Sequence, residues 1–147
     1  MKLRVLEATE NKTDRIFDSV ECQQLLEIYK DYYPKIGFNI PWVAYLVIMQ
    51  NQVVGSCSFT GQPKEGKVEI AYWTFQEFEG KGIGSFACKE LVLIAQKTDP
   101  TIIITAKTAP QENASTKILQ KNGFAFSEIV KDEEIGDAWL WMIKTIK

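Results

Sequence analysis

The hydrophobic period of this chain changes abruptly across a run of glycines. Val68–Phe75 reads as a strand. In Gly82–Lys97, Ile83, Phe86, Ala87, Leu91 and Ile94 recur at steps of three and four, which marks one buried helical face. Between them lies Glu79-Gly80-Lys81-Gly82-Ile83-Gly84. Glycines at a strand-to-helix turn let the backbone bend tightly and leave room for a ligand. The first-turn amides of the helix have no helical partner, and the helix dipole favours an anion. The segment is therefore a candidate pyrophosphate cradle. A glycine-rich turn that holds no ligand is the other reading.

Two phosphate motifs fail against it. A Walker loop places its lysine after the last glycine, whereas Lys81 precedes Gly82 and Gly84. A dinucleotide fingerprint needs an acid at the end of the next strand. That strand ends near Thr105-Ala106-Lys107, which has none.

The rest of the chain supplies the frame. Leu3–Leu6 is a short opening strand. Asp14–Tyr33 is helical, with an apolar stripe that drifts enough to allow two short helices, and it ends before Pro34. Lys35–Pro41 is a loop. Trp42–Met49 and Val53–Thr60 form a hairpin about a turn at Asn51-Gln52, and Gly61–Gly66 leads into the third strand. Pro100 stops the glycine-led helix. Thr101–Thr105 is a buried central strand parallel to the third. Asn113–Asn122 is a second amphipathic helix, stopped at Gly123, and Phe124–Val130 and Ala138–Ile143 close as a strand pair. The fold class is α/β (α+β), one domain over residues 1–147.

Composition removes several chemistries. There is no histidine, so Ser-His-Asp and Cys-His catalysis and imidazole zinc sites are excluded. Three cysteines (Cys22, Cys57, Cys88) fit neither a metal spacing nor a disulfide framework and read as buried thiols of a reducing, cytoplasmic compartment. No metal is expected. A net charge of −2 lacks the basic footprint of a nucleic-acid binder. The N-terminus has no apolar signal region, and no run of residues is long enough for a membrane span.

The glycine turn, read with two other segments, resembles the GNAT superfamily of N-acetyltransferases. Its acyl-CoA motif, [QR]-x-x-G-x-[GA] between strand and helix, matches residues 79–84 except for Glu79 at the first position. Residues 113–124, NASTKILQKNGF, resemble the family's terminal-helix motif ending in Gly-Phe. Glu69-Ile70-Ala71-Tyr72-Trp73 resembles the E-I-G-Y-W strand of the branch with ribosomal-protein N-terminal acetyltransferases. The order of elements matches over nearly the whole chain.

The resemblance implies a central, mixed, mostly antiparallel sheet of six to seven strands. About four helices flank it, and a parallel strand pair splays apart to admit pantetheine. It implies acetyl-CoA as cosubstrate, an amine acceptor attacking directly in a ternary complex, and a homodimer as a common assembly. The cofactor contacts it implies are backbone groups of Trp73, Thr74 and Phe75, the cradle Glu79, Gly80, Lys81, Gly82, Ile83, Gly84 and Ser85, and Asn113. Asn113 is either a CoA contact shifted by one place or a plain helix N-cap. Glu69 is the candidate base, and a backbone amide in Trp73–Phe75 the oxyanion donor. Many members carry an acidic tyrosine where this chain has Leu119, and the ribosomal-protein branch instead uses a serine, at Ser115 here. Tyr29, Tyr32, Tyr33, Phe38, Trp42, Tyr45, Trp139 and Trp141 are either walls of the acceptor pocket or core. Asp132, Glu133 and Glu134 could attract a cationic amine. The function that follows is acetyl-CoA-dependent acetylation of a primary amine on a small molecule or protein N-terminus. The alternative is a GNAT-fold sensor that binds acyl-CoA without transfer.

Overall fold

A computed structural model describes residues 1–144, and residues 145–147 of the expected domain lie outside the described residues. Among the described residues seven strands build one sheet: β1 (Lys2–Val5), β2 (Ala44–Met49), β3 (Gln52–Phe59), β4 (Lys67–Thr74), β5 (Ile103–Thr108), β6 (Ala125–Asp132) and β7 (Gly136–Lys144). Their spatial order is β1-β2-β3-β4-β5-β7-β6. Every neighbouring pair is antiparallel except β4 and β5, which run parallel. Among the described residues three α-helices flank the sheet: α1 (Val20–Ile36), α2 (Ile83–Thr98) and α3 (Ala114–Lys121). That is one fewer than the resemblance implies, because the region before α1 makes only a 3-10 turn, Arg15–Phe17.

α1 both starts and ends later than its sequence suggests. Ser19 caps it by accepting the Cys22 amide at 3.1 Å, and the helix runs through Pro34 instead of ending before it. Pro34 sits in the last turn, and tertiary bonds hold that turn in place. The Tyr33 hydroxyl donates to Leu6 O at 2.7 Å and accepts from Ala44 N at 3.1 Å. Gly37, at φ 86°, closes the helix on Tyr33 O at 2.7 Å. These bonds outweigh the amide that proline removes.

Other boundaries move by a residue or two. The β2–β3 turn is Gln50-Asn51, at φ 52° and 64°, one place earlier than the expected Asn51-Gln52. Two positive φ angles make the primed turn whose twist suits a hairpin. β5 starts at Ile103 because Asp99 accepts both the amide and the hydroxyl of Thr101, holding Thr101 in a turn. Val54 is an extra residue in β3, since Val47 faces Gly55 and Ile48 faces Val53.

The two faces of the sheet carry different helices. On one face α2 packs against β3 and β4, and α3 packs against α2. On the other, Leu25, Ile28 and Tyr29 of α1 lie over Ser56, Ser58, Ala71 and Trp73. Phe59, Ile70, Ile83, Leu91, Ile104 and Leu119 are fully buried. Cys22, Cys57 and Cys88 are free and buried, as expected.

Candidate active site

The β4–β5 ladder stops partway. Lys67–Ile70 pair with Ile103–Ala106, whereas β4 stays paired with β3 as far as Thr74. Ala71–Thr74 therefore border a gap on the β5 side. Which main-chain groups face that gap follows from alternation. Glu69 O accepts from Thr60 N and Phe75 N donates to Val54 O at 3.0 Å, so odd-numbered residues of this strand turn their backbone toward β3. Even-numbered Tyr72 and Thr74 turn theirs into the gap. Of the expected Trp73–Phe75 donors, Thr74 alone faces the gap, because Phe75 is taken by Val54 and Trp73 shares its direction. Tyr72 joins Thr74 there, and sequence reasoning missed it.

β4, which borders the gap, leads through a 3-10 turn at Gln76–Phe78 to the glycine turn. Gly80 and Gly82 have φ of 83° and 80°, where side chains are strained, and a Cβ on either would meet nothing within 4 Å. Gly82 is the N-cap of α2 and provides no side-chain bond. Among the described residues no protein acceptor meets the amides of Gly82, Ile83, Gly84 or Ser85. Unpaired first-turn amides of this kind suit an anion, and the space beside Gly80 and Gly82 is clear of side chains. Glu79 and Lys81 are exposed, so the Glu79 carboxylate need not face an anion. Gly84 serves the packing as well. A Cβ there would sit 2.8 Å from Ile118 Cδ1 and 3.5 Å from Thr74 Oγ1, so its bareness lets α2 approach α3 and β4.

α3 brings Ser115 to the same face. Its Oγ lies 3.3 Å from the Tyr72 hydroxyl, which also donates to Ser115 O at 3.3 Å. Burial pushes the Tyr72 phenol up to about 12 against the Ser115 hydrogen bond, so it is a protonated donor at neutral pH. Leu119 is fully buried. Asn113 caps α3, accepting from Thr116 N at 3.1 Å while Thr116 Oγ1 accepts from Asn113 N at 2.9 Å. Asn122 Nδ2 donates to Ser85 Oγ at 3.3 Å and ties the end of α3 to the first turn of α2. Nothing in the sequence marked that link.

Glu69 points to the opposite face, one residue before the ladder ends. It lines a cavity of about 510 Å³ with Ile36, Thr60, Gln62, Lys67 and Thr105. Its Oε1 lies 3.6 Å from Lys107 Nζ, which is also 3.5 Å from Asp132 Oδ2. Burial raises the Glu69 carboxyl, Lys107 opposes that, and Asp132 adds to it. Tyr32 is close enough for Glu69 to push its phenol up further after burial.

The aromatic residues divide by face. Tyr29 and Tyr32 stay on the Glu69 side. Tyr33 and Tyr45 are buried, Phe38 stacks edge-on to Tyr33, and Trp42 edge-on to Phe59. Trp139 and Trp141 do share one face of β7, but it is the α3 face. Trp141 Nε1 donates to Thr108 Oγ1 at 3.0 Å, and both rings line a groove with Gln120 and Phe124. They wall no acceptor pocket beside Glu69. Among the described residues no cluster of acids and cysteines is placed to hold a metal, and no helix is long and apolar enough to cross a membrane.

Comparison with known proteins agrees with this geometry. No curated protein matches the sequence. Solved structures share the fold. Ribosomal-protein-S5-alanine acetyltransferase from Vibrio fischeri aligns with a TM-score of 0.67 at 18% identity, covering 97% of this chain and 92% of its own. RimL, the ribosomal L7/L12 alpha-N-protein acetyltransferase in complex with coenzyme A, gives 0.70 at 20% identity over 97% and 92%. The yncA protein from Salmonella typhimurium, solved with its cofactor acetyl-CoA, gives 0.68 at 17% over 100% and 95%. The family model of the acetyltransferase (GNAT) domain matches residues 5–125, and the chain belongs to that family.

Proposed function

We propose that this protein transfers an acetyl group from acetyl-CoA to a primary amine by direct attack. The observation that carries the reading is the closeness of the Gly82–Ser85 amides, which meet no protein acceptor among the described residues, to the gap-bordering Tyr72 and Thr74: a Cβ on Gly84 would lie 3.5 Å from Thr74 Oγ1 and 3.9 Å from Tyr72 Cδ1. A pyrophosphate on the cradle lets a pantetheine arm run along β4 and pair with those two residues. The arm stops where the ladder closes at Ile70 and Ala106. The structures of RimL with coenzyme A and yncA with acetyl-CoA support this choice of cosubstrate.

The chemistry then comes from both faces of the sheet. An amine reaching the carbonyl from the α1 face finds Glu69 to take its proton. Thr74 or Tyr72 N–H stabilises the oxyanion. Ser115, held by Tyr72, gives a proton to the departing thiolate on the α3 face. Placing acid and base on opposite faces keeps each beside the atom whose charge it answers.

The test is thiol release from acetyl-CoA against a panel of small amines and peptide N-termini. Turnover that falls at least a hundredfold in Glu69→Gln, with acetyl-CoA affinity retained, is expected. Binding of acetyl-CoA without thiol release for any amine would favour an acyl-CoA sensor instead.

A further inference from the structure

We propose that Lys107 is an acetyl acceptor within the chain's own active site, so that the protein acetylates itself there. This rests on the acetyl-CoA reading above. Lys107 is the first β5 residue beyond the last β4–β5 pair, Ile70 with Ala106. A thioester arm that ends where the strands close ends beside it. Thr105 lines the Glu69 cavity, and Lys107, two residues on, projects to the same face. Its Nζ lies 3.6 Å from Glu69 Oε1, the carboxylate placed to deprotonate an amine. Both side chains are 31% exposed, so the pair is partly shielded from water and open to a reactant. Lys107 is thus a primary ammonium standing where an external acceptor would have to stand.

The step balances without another reactant. Glu69 takes one proton from the Lys107 ammonium. The free Nζ attacks the thioester carbonyl carbon, the N–C bond forms, and the C–S bond breaks with its electron pair leaving on sulfur. The second nitrogen proton is lost from the tetrahedral adduct, the thiolate is protonated from the Ser115 side, and the products are an amide and free CoA thiol. The modified side chain has lost its charge. Glu69 and Asp132, which share that ammonium now, are left without it. An incoming ammonium would then find two unpaired carboxylates.

The experiment incubates the purified protein with acetyl-CoA and no added amine, follows thiol release, and maps acetylated lysines by peptide mass spectrometry. Lys131, whose side chain is 84% exposed, is the internal reference for uncatalysed acetylation. The expected result is one equivalent of thiol per chain, with Lys107 modified at least tenfold faster than Lys131. The rate per chain should not depend on protein concentration. Glu69→Gln should slow Lys107 labelling without changing Lys131. Lys107→Arg should abolish the stoichiometric release. Lys107 labelled no faster than Lys131, or left unmodified while an external amine is acetylated, overturns the proposal and spares the acetyl-CoA reading. Failure to bind acetyl-CoA at all overturns both.

Discussion

At the level of single residues the site depends on two groups whose environments set their protonation. Glu69 is desolvated, and Lys107 only partly compensates. Its folded-state pKa therefore lies above the ordinary 4.5. The stability it contributes is full below that ordinary value and is lost as pH rises through the folded value. A base must be ionised to act, so the acidic limb of the rate profile should be displaced upward from 4.5. Lys107→Gln removes the opposing charge and should place that limb at higher pH than in the native chain before its Lys107 is acetylated, as pH titrations of the initial rates of both proteins would read. A limb at the ordinary value, unmoved by the substitution, would remove Glu69 as the base. Tyr72 is the second group. Tyr72→Phe keeps the ring and deletes its bond to Ser115, which should cost about 1 kcal/mol, roughly fivefold in turnover. An unchanged kcat would leave Ser115 positioned by its helix alone. Tyr72 stands in the strand that resembles the family motif, yet no role for it is legible there, because the direction of its backbone depends on which neighbour pairs with which residue.

At the level of elements, β4 holds the site because its β3 edge stays paired from Ile70 to Thr74, where its β5 edge is released. β3 enforces this, and Gly55 lets it. A Cβ on Gly55 would lie 2.5 Å from Trp73 O, a backbone atom that moves only if the strand moves. Gly55→Ala should destabilise the protein by about 1–3 kcal/mol in denaturant melts and weaken acetyl-CoA binding, since Thr74 is its partner in the ladder. An unchanged melt would mean that β3 and β4 separate freely. Most elements were legible from sequence. The period change at the glycines placed α2, and Asn113 and Asn122 marked both ends of α3. The errors came where distant contacts decide. Pro34 reads as a stop, but the hydroxyl of Tyr33 ties the last turn of α1 to β1 and β2. The tryptophans read as candidate acceptor walls because sequence shows that they share a face without showing which face it is.

For the molecule taken entire, the sheet is a partition. The cradle, Tyr72 and Ser115 lie on the side of α2 and α3, and Glu69, Lys107 and Tyr32 lie on the side of α1. The gap between β4 and β5 is where the two sides meet, so one reactant can enter from each. Sequence reached the cradle because glycines carry their conformational meaning locally, and it reached Ser115 and Glu69 only through family resemblance. Their separation onto two faces needed the register. All of this chemistry requires that the amides opening α2 hold the diphosphate of acetyl-CoA. Gly82→Asp puts a carboxylate into that cradle, at a position where φ is 80°. Calorimetric titration of acetyl-CoA into the native chain and the variant, with melts showing that each is folded, reads the consequence. Saturable one-to-one binding to the native chain, and none to folded Gly82→Asp, is expected. Equal affinity in the two proteins, or no binding to either, would mean that the diphosphate is not held there.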